Sequence, residues 1–421
     1  MVRLAMGKTY LELNTEGLNL IGILAAGPPP ISEPNHHLLR RAMANPIGTP
    51  SLKAIAMRKR AKNAVIIVND ITRPTPYRFV LPPVLSELHS TGLRPVDIKL
   101  IVALGIHRPH TEEENRNIFG HDIMDRYEVI NHNCDQNLKS LGTLSNGMEL
   151  EISREAAETD LLITTGVVEL HYFAGYSGGR KSILPGIASR KLIEANHKMM
   201  DDSRASLGRY QDNPVHKIML EAAKKVHVDF IVNVVMNSKE QIGLAVCGDV
   251  YEAWLKAVQY CEQANVITAP EKADIVIASA GGYPKDINFY QAQKALEAAV
   301  NAVKKNGTII LAAECPEGLG EATFARWLEE ARQPEDIKQR FYNNFELGGH
   351  KAFAICKTLD YCQVILVSSL DKKTVNKLFM EKANDVQEAL QKALNRHGKA
   401  ASIYIMPEAS KVGVKITHQQ K

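Results

Sequence analysis

Short apolar, β-branched runs alternate along this chain with amphipathic stretches, and the alternation covers most of its length. "NAVIIVND" (63–70), "DIKLIVALG" (97–105) and "DLLITTGVVEL" (160–170) are compact apolar runs bounded by polar residues, a pattern that predicts buried strands. The first two are each followed by a turn and a helical pattern, near 77–91 and 111–120. "VDFIVNVVMNS" (228–238) and "QIGLAVCGD" (241–249) predict a strand pair, with a helix at about 250–264. A second series begins with the strand "ADIVIASAGG" (273–282). "NFYQAQKALEAAVNAVKKNG" (288–307) then predicts one long helix closed by Gly307 as its C-cap. "TIILAAE" (308–314), a helix near 320–332, "CQVILVSSL" (362–370), a helix near 384–396 and "ASIYIMP" (401–407) complete the series. Strand, loop, helix, strand order predicts an α/β fold: two α/β domains with largely parallel sheets and an active-site cleft between them. The boundary is expected in "NVITAPEKAD" (265–274). Residues 1–267 are then an N-terminal cofactor and catalytic domain. Residues 268–407 form a C-terminal domain that adds substrate and cofactor contacts, and the tail 408–421 returns to the first domain.

In such sheets ligands gather at the carboxyl ends of the strands, so the loops that follow them carry the candidate chemistry. In "NDITRPTPYR", Asp70, Thr72 and Arg73 leave the first strand directly, and Pro74 and Pro76 stiffen the exit. A guanidinium there forks onto a carboxylate or phosphate, with Asp70 to orient it; the plainer alternative is an Asp cap beside a surface arginine. In "ALGIHRPHT", His107 projects from a turn, and an imidazole is the side chain best suited to give and take a proton. His110 and Thr111 are expected to cap the next helix.

"HYFAGYSGGRKSILPG" (171–186) puts His171 just past the third strand and Lys181 behind Gly175, Gly178 and Gly179. A phosphate loop needs G-x-x-x-x-G-K-[ST]; here Arg180 separates Gly179 from Lys181, so the match fails. Bare N–H groups still suit an anion, and a lysine suits covalent attachment of a carbonyl or acyl group. Sixteen residues on, "IEANHKMM" sets His197 in a helix as a one-nitrogen metal ligand or a core residue. In "GGYPKDINFYQAQK", Tyr290 and Lys294 share a helix face beside Gln291, a phenol, ammonium and amide set suited to a carboxylate. An amphipathic helix with a snorkelling lysine is the alternative.

Composition narrows the classes. The chain has 421 residues, enough for two or three domains, with 45% hydrophobic and 23% charged residues. A net charge of +4 gives no reason to expect nucleic acid or a membrane surface as partner. Six cysteines without a C-x-x-C pair, and no apolar leader at the start, predict reduced thiols and a cytoplasmic protein. "GLGEAT" (318–323) is no dinucleotide fingerprint. Two histidines without a serine nucleophile suggest proton transfer on both faces of a substrate, as a racemase or epimerase requires.

"DITRPTP", "ALGIHRP", "HYFAGYSGGRKSILPG", "ANHKMM" and "FYQAQK", in this order, resemble the nickel-dependent lactate racemase family over most of the chain. The resemblance implies a nickel-pincer nucleotide, a pyridinium mononucleotide with sulfur donors, attached through a thioamide to Lys181. It implies His197 as the nickel ligand, and Gly175, Gly178, Gly179, Asp70 and Thr72 as its neighbours. His107 and His171 would exchange protons while the α-hydrogen of a 2-hydroxy acid leaves and returns as hydride. Arg73 and Lys294 would hold the carboxylate, with Tyr290 and Gln291 adding hydrogen bonds. Partners would be this small molecule and the enzymes that make the cofactor. Lactate-active members place a tryptophan in the second domain. Here the tryptophans are Trp254 and Trp327, and "GGHKAFAI" (348–355) brings His350 and Phe353 instead, which points as readily to a longer or more polar 2-hydroxy acid. The other classes in view are a nicotinamide-dependent 2-hydroxy acid dehydrogenase and a protein that binds or stores the nickel nucleotide.

Overall fold

A computed structural model describes residues 1–27, 33–73, 75–237 and 241–417; Pro74 and the last four residues of the tail, 418–421, lie outside them. The chain divides into two compact units, Pro28–Ala264 and a second formed by Met1–Gly27 with Asn265–Lys421.

The sheet of the first unit runs, in spatial order, Ile242–Gly248, Phe230–Met236, Leu161–Val167, Ala64–Asn69, Ile98–Ala103, Glu128–Asn131. Every pairing is parallel except that of the edge strand Ile242–Gly248. Leu161–Val167 is buried at every position and Ala64–Asn69 at all but its last, which is why both read as unbroken apolar runs. One face packs on the helix Tyr77–His89 through Val80, Leu81, Val84 and Leu88. From Ala64–Asn69 the chain proceeds to Ile98–Ala103 on one side; from Leu161–Val167 it proceeds to Phe230–Met236 on the other. The loops after these two adjacent strands therefore diverge, and a crevice opens at their carboxyl ends. The candidate residues from Asp70 to Arg73 and from Glu169 to Lys181 sit on those two loops.

The second unit is built from both ends of the sequence. Its parallel sheet runs Glu381–Ala383, Gln363–Val367, Val303–Ala312, Ala273–Ser279, Ile403–Met406, Leu20–Ile23. The hairpin Val2–Met6/Thr9–Leu13 buries Leu4 and Leu13 in the same core as Ile275, Ile277, Ile310 and Ile365. The opening residues thus pack with the second unit and not, as expected, with the first. The tail strand Gly413–Ile416 pairs with Val266–Ala269 and stays in this unit too. The single helix expected over 288–307 is three elements: Phe289–Ala292, Lys294–Ala302 and the start of the strand Val303–Ala312. Val303 pairs with Ala273, so the ladder takes over where the helical pattern still ran on, and Gly307 lies within a strand. All six cysteines are buried free thiols. Among the described residues no helix is long and apolar enough to cross a membrane.

If the N-terminal hairpin completes the second core, Leu4→Ala should lower stability by roughly 2–5 kcal/mol through the cavity it leaves. Urea denaturation checks this; an unchanged midpoint would contradict the placement.

Candidate active site

Asp70 leaves its strand into the crevice with 5% of its surface exposed. One carboxylate oxygen accepts from the Thr72 hydroxyl (2.7 Å) and amide (3.2 Å), and the other accepts from Nδ1–H of His107. Burial would raise the Asp70 carboxyl, but His107, Thr72 and Arg73 together hold it below the usual carboxylate range. An ionised Asp70 fixes the Nδ1–H tautomer of His107, which places the ring's lone pair on Nε2. His107 itself is half exposed. The sequence suggested that Asp70 would orient Arg73. Instead Asp70 orients His107, and Arg73 pairs at 2.7 Å with Glu169, a carboxylate at the end of the neighbouring strand. His110 does not cap the helix Glu112–Phe119; Thr111 does, in a capping box with Glu114. The His110 ring accepts from the Ile71 amide (3.1 Å) and so pins the Asp70 loop.

On the other side of the crevice His171 is buried, stacked on Tyr172 (5.1 Å, 17°) and edge-on to Phe173 (4.7 Å). Its Nδ1 accepts from the Ala174 amide (3.2 Å), and its Nε2 stands 2.8 Å from the Lys181 ammonium nitrogen. Burial, then the charges of Lys181 and Arg73, push His171 well below its usual value. Burial, then Arg73 and Arg180, push Lys181 down as well, with only Glu169 opposing. Two cations cannot share this space in low dielectric. Both shifts run toward the uncharged forms; with Nδ1 accepting, a neutral ring carries its proton on Nε2 and points it at the lysine nitrogen. A neutral lysine amine is a nucleophile.

The loop that presents Lys181 is held by the protein's own interior. Gly175 (φ +77) and Gly179 (φ +50) lie in the left-handed region. A Cβ at Gly175 would strike the Arg209 carbonyl, and one at Gly179 would meet the Trp254 indole at 2.9 Å; at Gly178 it would meet Val168. Each of these missing side chains makes room for another part of the protein. Arg180, which the sequence offered only as a cation, is fully buried. It donates to the carbonyls of Ala174 (2.9 Å), Ser177 (3.1 Å) and Gly178 (3.3 Å) and lies 4.1 Å from the Trp254 ring, its guanidinium pushed down to about 9 by burial.

Ser189 caps the helix Arg190–Lys198, whose last turn carries His197. The ring is buried, edge-on to Phe173 (5.0 Å), and Nδ1 donates to the Ile193 carbonyl at 2.8 Å. Burial, then Lys181, push it down to about 3. The ring is thus neutral with its lone pair on Nε2, the form that binds metals, and the carbonyl fixes its orientation. Among the described residues, no group of three or more His, Cys, Asp or Glu side chains is arranged to hold a metal.

In the second unit, Tyr290 and Gln291 belong to Phe289–Ala292, capped by Asn288, while Lys294 opens the next helix. The expected shared face on one helix N-terminus is not formed. Lys294 is exposed. Tyr290 packs edge-on to Phe324 (5.4 Å, 73°), and burial, with Glu321 nearby, pushes its phenol well above the usual range. His350 is buried and its Nδ1 accepts from the Gly348 amide (3.0 Å), which closes the first turn of Gly349–Tyr361. Phe353 stacks on Phe341 (3.8 Å, 8°). Beside this stretch stands Trp327, whose indole lies against Gly349 and under Arg340 (4.9 Å).

Residues 6–208 match the family described as the lactate racemase N-terminal domain, and residues 266–414 the lactate racemase C-terminal domain. The chain is 36% identical to the lactate racemase of Thermoanaerobacterium thermosaccharolyticum, covering 98% of this chain and 99% of that one. It is also 36% identical to that of Lactiplantibacillus plantarum, over 90% of each. Its fold is similar to the solved lactate racemase apoprotein from T. thermosaccharolyticum, with a TM-score of 0.91 over 98% of this chain and 99% of that one.

Burial holds His132, His171, His197 and His216 below the ordinary histidine value, His197 and His216 at about 3. The unfolded chain binds protons at these rings near 6.5 and the folded one does not, so their contribution is complete above 6.5 and is lost as pH falls toward 3. The urea midpoint of the chain without cofactor should therefore drop between pH 7 and pH 5, less steeply in His216→Gln. A midpoint independent of pH over that window would contradict the neutral rings.

Proposed function

The chain belongs to the lactate racemase family, and from that premise we propose that it inverts C2 of a 2-hydroxy acid with a nickel-pincer nucleotide attached at Lys181. It is an isomerase, and lactate, on which its relatives act by name, is the first substrate to test. The observation that carries the reading is the buried contact of Lys181 with His171.

The residues fit such a group. Burial and the neighbouring arginines shift Lys181 toward the neutral amine, the form that attacks a carbonyl or thioacyl carbon. His197 holds its Nε2 lone pair for a metal, and a single protein ligand suffices where the nucleotide brings the other donors. When bound, that group supplies the hydride acceptor.

The chain's own residues handle protons and position. His107, its tautomer set by Asp70, takes the substrate hydroxyl proton at Nε2 on one face. His171 serves the opposite face. In the free chain its Nε2 is committed to the Lys181 amine; once that nitrogen is part of an amide-like bond it no longer accepts, and His171 is released to exchange a proton with substrate. Arg73, held by Glu169, presents its remaining N–H groups to the carboxylate. Lys294, Tyr290 and Gln291 of the second unit supply further donors. Asp70 and Thr72, hydrogen-bonded to each other, are the proposed neighbours of the nucleotide on that loop. Gly175, Gly178 and Gly179 shape the loop that carries Lys181.

Protein carrying the cofactor should interconvert the enantiomers of a 2-hydroxy acid without added NAD. His107→Ala and His171→Ala should each lower kcat by roughly 10²–10⁴ while nickel is retained. Chiral chromatography with metal analysis checks this. Turnover unchanged in both variants would remove the histidines from the mechanism, and formation of NADH from added NAD would favour a dehydrogenase.

A further inference from the structure

Long cations are seldom buried unless their charge is compensated. Lys351, on the first turn of Gly349–Tyr361, is only 5% exposed. Its ammonium donates to the Tyr290 carbonyl at 2.6 Å and lies 3.7 Å from the centroid of the Tyr290 ring. One side chain thus clamps both the backbone and the aromatic face of one residue. The edge of that ring is held by Phe324, and the Tyr290 amide donates to the Leu319 carbonyl (3.0 Å). Tyr290 needs such support, because Phe289–Ala292 is a single turn with little cooperativity of its own. A methionine or leucine would fill the same volume without the cost of desolvating a charge. The charge of Lys351 also draws down the buried Glu297 carboxyl, and its direct contacts with both the carbonyl and the ring of Tyr290 add a second role, the fixing of a phenol.

We propose that Lys351 is a positioning residue for substrate binding: it holds Tyr290 where the phenol meets the 2-hydroxy acid. The inference rests on the racemase reading and assigns a residue to specificity in a stretch where the neighbouring His350 closes a helix turn. A cation held over a ring face is strongest when desolvated, and its loss should weaken substrate binding about tenfold. His107, His171 and Lys181 are untouched by the change.

The test uses the cofactor-loaded enzyme with Lys351→Met, Lys351→Gln, Tyr290→Phe and the two doubles, measuring KM, kcat and the melting temperature. The expected result is a KM raised about tenfold in both Lys351 variants, with kcat nearly preserved. In the Tyr290→Phe background the same changes should have almost no further effect on KM, because the phenol they act through is gone. Lys351→Gln, which keeps a donor for the carbonyl, is read in the same way should Lys351→Met fail to fold. A lowered melting temperature with KM unchanged overturns the proposal, as do effects that multiply in the doubles. An unchanged KM for Tyr290→Phe alone removes the phenol as a substrate contact, and this proposal with it. It leaves the racemase reading standing, since that is decided by enantiomer interconversion and the histidine variants.

Discussion

A lysine amine pressed against an imidazole in a buried loop is the constraint on which the proposed chemistry depends. Lys181 and His171 lie 2.8 Å apart, with Arg73 and Arg180 near and the Glu169 carboxylate alone opposing them. At that distance two charges of one sign would repel by about 4 kcal/mol or more even at an effective dielectric of 20. The doubly charged state is thereby excluded. Burial pushes in the same direction, so the two causes reinforce one another and shift Lys181 toward the nucleophilic amine. The loop is built to hold this arrangement: Arg180 ties three of its carbonyls together, and Trp254 fills the space that a side chain at Gly179 would need.

Two imidazoles, His171 and His197, stand by that amine and a third, His107, acts on His197; each is locked by a different partner. A carboxylate fixes His107 with its proton on Nδ1. A helix carbonyl does the same for His197. A backbone amide fixes His171 the other way round, with its proton on Nε2. Ring nitrogens become functionally distinct through such outer contacts, and here the fold supplies all three without using one histidine to orient another. The topology explains the gathering. The divergence of the connections after Ala64–Asn69 and Leu161–Val167 leaves one crevice into which the loops of residues 70–73 and 169–181 both project.

The sheet strands were legible in the sequence because strands buried on both faces carry unbroken apolar runs, as 64–68 and 161–167 do. The order of those strands was not, since pairing leaves no local mark. The same holds for the first residues: Leu20–Ile23 pairs with Ile403–Met406, and nothing near either segment announces it. The long helix over 288–307 failed because "VNAVKKNG" keeps a helical pattern while the ladder with Ala273 captures Val303. In the site, His107, His171, Lys181 and His197 could be picked out as reactive types on strand-end loops or a helix. Their partners were harder. Glu169 was visible as a lone carboxylate ending an apolar run, yet its pairing with Arg73 needed the crevice. Arg180 resembled a ligand-binding cation and is a buried tie. Lys351 gave no signal at all, because a lysine in the first turn of a helix looks like a solvated one.

The account stands on Lys181 as the attachment point. Peptide mapping by mass spectrometry, with metal analysis, of protein produced beside the cofactor's biosynthetic enzymes tests it most directly. The expected result is a nucleotide-sized adduct on the peptide containing Lys181, accompanied by stoichiometric nickel, with both lost in Lys181→Ala. An unmodified Lys181 in protein that still interconverts hydroxy-acid enantiomers would contradict it.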